Sequence, residues 1–248
     1  MRSSATRGFA RPLTFAGPHW GLGPKTPFVI LCLITGGALA EPVCGSSLID
    51  PALPVEEVWD RHDYVGHSLF TNTIKDGISV IQATPDGASG LYKSVDLDTM
   101  VSPSVHWRWR SDRLQPSADL RKTETEDFSG VVFFVFGEPS LIHPNVPTLA
   151  YAWTATPVAI GSIIRNPRHP NTLVTIKLEG PPTVGSWREE TRNLRADYQA
   201  AFGREPEDHL RYVALFSDDD QTHEASLTYY GAVTLSECES KDRAPGDR

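Results

Sequence analysis

Short apolar runs with the two-residue period of β-strands fill the middle of the chain. In residues 105–110, Trp107 and Trp109 share one face while basic residues share the other. Residues 130–136 are apolar throughout, which predicts a central strand buried on both faces. Turn-forming Gly, Pro, Asp and Asn separate the runs. The pattern predicts nine strands, at residues 78–83, 91–96, 105–110, 130–136, 149–153, 162–165, 173–178, 211–217 and 226–235.

One segment near the C-terminal end has the helical period instead. Apolar or amphipathic residues recur at a spacing of three or four over residues 187–202. Ser186 precedes the segment as an N-cap, and Glu189 follows at the spacing of a capping box. Gly203 can take the left-handed conformation that ends a helix. We therefore predict one helix over residues 187–202 that packs its aromatic side chains against a sheet.

The order of these elements predicts the fold class. Nine strands, one late helix and no regular alternation of strands with helices favour a single antiparallel β-sandwich of the jelly-roll type. We place the sandwich at residues 55–239. We expect a flexible segment at residues 41–54 and a disordered tail at residues 240–248.

The first 40 residues have the features of a secretory signal peptide. They contain four basic residues and no acidic residue, and they end in an apolar run and the small-x-small site Ala38-Leu39-Ala40. The apolar run covers residues 27–39, which is shorter than the ~20 residues that a spanning helix needs. We therefore expect cleavage before Glu41, a periplasmic or secreted protein, and no stable membrane span after cleavage.

Loss of the leader makes the chain strongly acidic. The full chain has 23 Lys and Arg against 31 Asp and Glu, so removal of four basic residues leaves 19 against 31, a net charge of −12. Nucleic acid is a poor partner for such a protein, because its binding depends on Lys and Arg. Cys44 and Cys238 remain, one near each end, and an oxidising compartment makes them candidates for a disulfide between the termini. Cys44 falls in a segment that we predict to be flexible, and Cys238 lies just before another.

An ordered series of short motifs adds a resemblance. The motifs are Trp107-Arg108-Trp109-Arg110, Glu126-Asp127-Phe128, Tyr151-Ala152-Trp153, Trp187 with Arg192-Asn193, Asp197-Tyr198 with Phe202-Gly203, Asp218-Asp219-Asp220-Gln221-Thr222 and Tyr229-Tyr230-Gly231. The series resembles an uncharacterised bacterial exported family, domain of unknown function 3047. The resemblance implies a sandwich like those of galactose-binding and carbohydrate-binding modules. It implies no established reaction and no catalytic residues.

Two acidic groups are the candidates for chemistry. The turn Asp218-Asp219-Asp220 offers oxygen ligands that suit a structural Ca²⁺. Alternatively, it is a solvated hairpin in which Asp218 or Asp220 accepts backbone N–H groups, an interpretation that we favour. Glu126 and Asp127 form the second group, and with the first they can supply the two carboxylates of a glycosidase. No other cofactor is indicated.

The motif at residues 107–110 offers a second kind of site. Trp107 and Trp109 either stack on a sugar ring or line the core, where large aromatic residues are common. Arg108 and Arg110 on the opposite face either bind a carboxylate or an acidic sugar, or pair with neighbouring acids. We favour an exported, non-catalytic binding module for carbohydrate or another component of the cell envelope. The alternatives are a polysaccharide-active enzyme that uses paired carboxylates and a structural envelope protein.

Overall fold

The structure is a computed structural model that describes residues 46–101, 103–140 and 145–236. The elements in chain order are β1 (Ser47–Ile49), α1 (Val55–Val58), β2 (Asp60–Gly66), β3 (Leu69–Lys75), β4 (Ile78–Thr84), β5 (Gly87–Leu97), β6 (Ser104–Arg113), β7 (Gly130–Phe136), β8 (Thr148–Trp153), β9 (Ile163–Arg165), β10 (Leu173–Glu179), β11 (Arg188–Asn193), α2 (Leu194–Phe202), β12 (Leu210–Asp218) and β13 (Leu227–Leu235). The predicted β-sandwich is confirmed. No helix in these described ranges is long and apolar enough to cross a membrane.

The strands form two sheets. The six-stranded sheet has the order β11-β6-β13-β4-β3, with β1 added beside β13, and the seven-stranded sheet has the order β2-β5-β12-β7-β8-β10-β9. The pairings are antiparallel except that β8 and β10 run parallel. Between β8 and β10 the chain forms β9, which lies at the edge of the sheet and runs antiparallel to β10. Strand β10 therefore runs in the same direction as β8. The seven-stranded sheet is therefore mixed.

The core lies between the two sheets and is rich in aromatic side chains. Trp107 and Trp109 of β6 are 1% and 0% exposed, and they pack against Tyr151 and Trp153 of β8 at ring-centroid distances of 5.3 and 5.6 Å. These two tryptophans therefore line the core, so they present no face to a ligand at the surface. Truncation of so buried a tryptophan to alanine costs about 3–5 kcal/mol of stability.

The seven-stranded sheet is also apolar on its outer face, which points away from this core. Strand β7 is buried along its whole length, as its continuous apolar run predicts. Its outward side chains Val131, Phe133 and Val135 belong to a second apolar layer. Leu120 and Phe128, from the segment between β6 and β7, join this layer and cover part of the face. The outer face thus carries a polypeptide cover where a simple sandwich would meet water.

The helix is shorter than its sequence pattern predicts. Residues 188–193 form β11 along β6 instead, so the prediction of helix over residues 187–193 is wrong. The backbone hydrogen bonds that β6 offers at the edge of its sheet outweigh the local helical period, a common override of propensity by tertiary pairing. The N-cap is Asn193 rather than Ser186, and its Oδ1 accepts a hydrogen bond from the Ala196 N–H at 2.9 Å. Gly203 ends the helix as predicted, with a φ of 74°.

The two ends of the described chain lie side by side. Strand β1 pairs with β13, and the Leu235 N–H donates to the Ser46 carbonyl at 3.0 Å. The segment predicted to be flexible, residues 41–54, thus contributes a strand ahead of Val55. Cys44 and Cys238 lie outside the described residues, as do the leader at residues 1–40 and the tail at residues 240–248.

Candidate ligand-binding pocket

A pocket opens on the outer face of the seven-stranded sheet. Its apolar lining consists of Tyr64, Phe128, Phe133, Leu173 and Phe216. Its polar lining consists of Glu126, Asn166, His169, Asp218 and Gln221. The cavity measures about 40 Å³. Since one water needs about 10–15 Å³ by this measure, the cavity has room for roughly three water molecules.

The two acidic groups identified in the sequence meet at this pocket. Glu126 and Asp127 stand just before β7, and Asp218 ends β12. Because β7 and β12 are adjacent and antiparallel, the chain enters one strand at the same end of the sheet where it leaves the other. One carboxylate oxygen each from Asp127, Asp218 and Asp220 lies within 4.8 Å of the other two.

Asp127 fastens the turn after β12 to the segment before β7. Its Oδ2 accepts hydrogen bonds from the Thr222 N–H at 2.6 Å and the Thr222 hydroxyl at 2.5 Å. Its Oδ1 accepts a third hydrogen bond from the Gln221 N–H at 3.2 Å. Removal of this carboxylate would leave all three donors without an acceptor. Both oxygens of Asp127 are therefore occupied by hydrogen bonds that hold the turn after β12.

The three aspartates of the turn have different environments. Asp218 is buried, and its Oδ1 accepts a hydrogen bond from the Phe128 N–H at 2.6 Å, which is the backbone contact that we favoured from the sequence. Burial and the neighbouring Asp127 raise the pKa of Asp218 well above its usual range. The same causes raise the pKa of Asp220. Asp219 points elsewhere, and its Oδ1 accepts a hydrogen bond from the Gly87 N–H at 2.7 Å.

Glu126 is the acid in the pocket whose protonation responds near neutral pH. Only 4% of the residue is exposed. Its Oε2 accepts a hydrogen bond from the Asn166 side chain at 2.9 Å, and the Arg168 guanidinium lies 2.7 Å from its Oε1. Loss of solvation raises the pKa of Glu126 to about 7, although Arg168 opposes this rise. Glu126 can therefore hold or release a proton at physiological pH.

The geometry limits what the acidic cluster can do. Asp127, Asp218 and Asp220 are the residues that can hold a cation, but Ca²⁺ takes 6–8 oxygen ligands and both oxygens of Asp127 already accept hydrogen bonds. The arrangement favours sharing of protons or of one small cation.

The arginines of the sequence motif lie on the other sheet. Arg110 pairs with Asp112 at 2.5 Å and with Asp76 at 2.9 Å, which is the pairing alternative. The guanidinium of Arg108 lies over the ring of Trp187, 5.8 Å from its centroid. The structure therefore brings neither arginine to the acidic pocket. Asn166 and Arg168, which lie in a loop after β9, carry no comparable signal in the sequence.

The fold and the pocket together define a two-sheet β-sandwich protein with an acidic, aromatic-lined pocket on the outer face of one sheet. The chain belongs to the family described as Protein of unknown function (DUF3047), whose model matches residues 57–234. This match confirms the resemblance noted in the sequence. No curated protein matches the chain significantly.

Two solved structures are distantly similar to this chain. Endoglucanase cel12A from Rhodothermus marinus has a TM-score of 0.40 and 11% identity, with 73% of this chain and 97% of that chain covered. The xyloglucanase domain of NopAA, a type three effector from Sinorhizobium fredii in complex with cellobiose, has a TM-score of 0.33 and 6% identity, with 73% and 98% covered. Likenesses this remote transfer neither substrate nor reaction to this chain.

Proposed function

We propose that this protein is an exported, non-catalytic binding domain whose pocket on the outer face of the seven-stranded sheet binds a carbohydrate or a similar ligand of the cell envelope. The observation that carries the proposal is that aromatic rings and hydrogen-bonding side chains converge on one pocket. Tyr64, Phe133 and Phe216 supply apolar surfaces of the kind that pack against the C–H groups of a sugar. Glu126 and Asn166 supply the hydrogen-bonding groups beside them.

The size of the cavity defines how such a ligand would bind. At about 40 Å³ it is too small to enclose a whole sugar ring. One substituent of the sugar would enter the cavity, and the remainder would lie on the surrounding surface. Affinity for a single sugar would then be modest, because little of the ligand is buried.

A glycan-array screen of the purified exported protein tests the proposal. We expect a defined group of glycans to bind, and we expect Phe216→Leu and Glu126→Gln to weaken that binding at least tenfold. Trp187→Ala is the matched control, because Trp187 is a partly exposed aromatic residue next to the six-stranded sheet. If Trp187→Ala removed binding and the pocket variants did not, the ligand face would lie on the six-stranded sheet and the proposed site would be wrong.

One observation favours a second function, a polysaccharide-active enzyme. Glu126, with its pKa of about 7, is suited to general acid catalysis. Release of reducing ends from polysaccharides, measured between pH 5 and pH 8, tests this function. Turnover that Glu126→Gln abolishes would establish it. We rank it second because hydrogen bonds from backbone N–H groups already occupy Asp127 and one oxygen of Asp218.

A further inference from the structure

We infer that the group entering the pocket is a primary ammonium group, so that the ligand is an amine-bearing saccharide. The inference rests on the proposed function, because it names the part of the ligand that the pocket holds. Three independent features of the pocket carry it: its charge, its unsatisfied acceptor and its aromatic rings.

The charge of the site calls for a cation. One carboxylate oxygen each from Asp127, Asp218 and Asp220 lies within 4.8 Å of the other two, and Glu126 lines the same pocket as Asp218. Arg168 is paired with Glu126. Within the described ranges, none of the three aspartates forms an ion pair. A carboxylate or sulfate on a ligand would be repelled here, whereas an ammonium group would relieve the repulsion.

The hydrogen-bonding groups at the pocket call for a donor. The Oε1 atom of Gln221 is buried and accepts no hydrogen bond from any residue that the structure describes. Its Nε2 donates to Asp220 at 2.7 Å, which fixes the amide with Oε1 left over. A buried acceptor without a donor costs about 1–3 kcal/mol.

An ammonium group answers both requirements. It supplies three N–H donors and no lone pair, whereas a hydroxyl would bring further lone pairs into a cluster of acceptors. The surrounding rings of Tyr64, Phe133 and Phe216 also attract a cation through their π faces. A cavity of about 40 Å³ holds an ammonium group and the carbon that bears it. Ca²⁺ fits less well, because half of the lining residues are apolar or aromatic and offer few of the 6–8 oxygens it needs.

Two saccharides with the same backbone test the charge requirement. Binding of the β-1,4-linked glucosamine tetramer and of its N-acetylated counterpart is measured by isothermal titration calorimetry at pH 7. We expect the free amine to bind at least tenfold more tightly. Pentylamine and 1-pentanol form a second matched pair that separates a requirement for an amine from a requirement for a sugar. Phe216→Leu and Glu126→Gln should each weaken binding of both amines at least tenfold.

The pH dependence of pentylamine binding tests which group receives the cation. Pentylamine stays protonated from pH 6 to pH 8, whereas Glu126 changes from about one-tenth to about nine-tenths ionised around its pKa of about 7. Affinity should therefore rise about tenfold over this range, since only the ionised form attracts the amine. Glu126→Gln should flatten the profile. The other titratable or charged groups that face Glu126 or line the pocket are Tyr64, Asp127, His169, Asp218, Asp220 and Arg168.

The outcomes separate this inference from the proposed function. If the N-acetylated tetramer bound as tightly and Phe216→Leu weakened it, the saccharide pocket would stand and the ammonium inference would be wrong. If pentylamine bound and neither tetramer did, the ammonium site would stand and the saccharide function would fall. If neither amine bound, or if Ca²⁺ alone bound and Asp220→Ala removed that binding, the inference would be overturned. Circular dichroism confirms that each variant is folded.

Discussion

Replacement of Glu126 by glutamine tests whether folding raises the pKa of this side chain. Glutamine has the same shape and keeps an oxygen that can accept the hydrogen bond from Asn166, but it cannot ionise. In the native protein, loss of solvation raises the pKa of Glu126 from 4.5 to about 7. The variant therefore removes one titration from the folded state and leaves the packing of the pocket unchanged.

The sign and size of the effect follow from this shift. The folded state binds the proton more tightly than the unfolded chain does, so the contribution of Glu126 to stability is complete below pH 4.5 and is lost as the pH rises through 7. At 1.36 kcal/mol per pKa unit, a pKa difference of about 2.5 corresponds to about 3.4 kcal/mol in total. About 2.5 kcal/mol of this is lost between pH 5 and pH 8. Relaxation and water at the pocket mouth reduce this to about 1–2 kcal/mol. Asp218 and Asp220 have raised pKa values too, so some slope remains in the variant.

Urea unfolding followed by tryptophan fluorescence at pH 5, 6, 7 and 8 measures the effect. The wild type should lose stability as the pH rises, and Glu126→Gln should lose about 1–2 kcal/mol less and be the more stable protein at pH 8. Glu57→Gln, on the exposed side of α1, should follow the wild type. Equal losses of stability in the wild type and in Glu126→Gln would refute the reasoning, because another group would then cause the pH dependence.

Four further predictions follow from the described contacts and from the sequence. Ca²⁺ should leave the melting temperature unchanged beyond general screening; a calcium-dependent rise that Asp220→Ala removes would contradict this. Asp127→Ala should lower the free energy of unfolding by about 2–4 kcal/mol, because three donors lose their acceptor; a change below 1 kcal/mol would argue against this role. A non-reducing peptide map should link Cys44 to Cys238, since β1 and β13 bring the adjoining chain ends together; two free thiols would exclude the bond. Intact mass of the exported protein should place its first residue at Glu41, and an uncleaved leader would overturn that prediction.

The strands that could be predicted are those whose two faces differ or are both buried. In β6 the alternation assigns Trp107 and Trp109 to one face, and the core takes that face. Strands β2 and β3 escaped prediction because they lie at sheet edges and expose most of their residues, so they need no regular apolar pattern. The prediction of a helix at residues 188–193 fails for the opposite reason, because their local pattern is helical and only pairing with β6 makes them a strand.

The acidic residues of the pocket could be identified one group at a time, but their meeting could not. Glu126 and Asp127 lie more than 90 residues from Asp218 along the chain. They come together because β7 and β12 are neighbours, and strand order in a sandwich is a property of the whole fold. Asn166 carries no sequence signal at all, because an asparagine in a loop is ordinarily a turn residue.

The apolar run of β7 nevertheless indicates which face of the sandwich carries the site. A strand in such a sheet normally has one face in the core and one in water, so its sequence alternates. Residues 131–136 do not alternate, and the outward side chains Val131, Phe133 and Val135 must therefore be covered by something. The segment between β6 and β7 covers part of this face, where Phe128 packs against Phe133, and Glu126 and Phe128 near its end line the pocket. The pocket lies where this cover ends, and there the apolar face and the carboxyl groups are both within reach of a ligand.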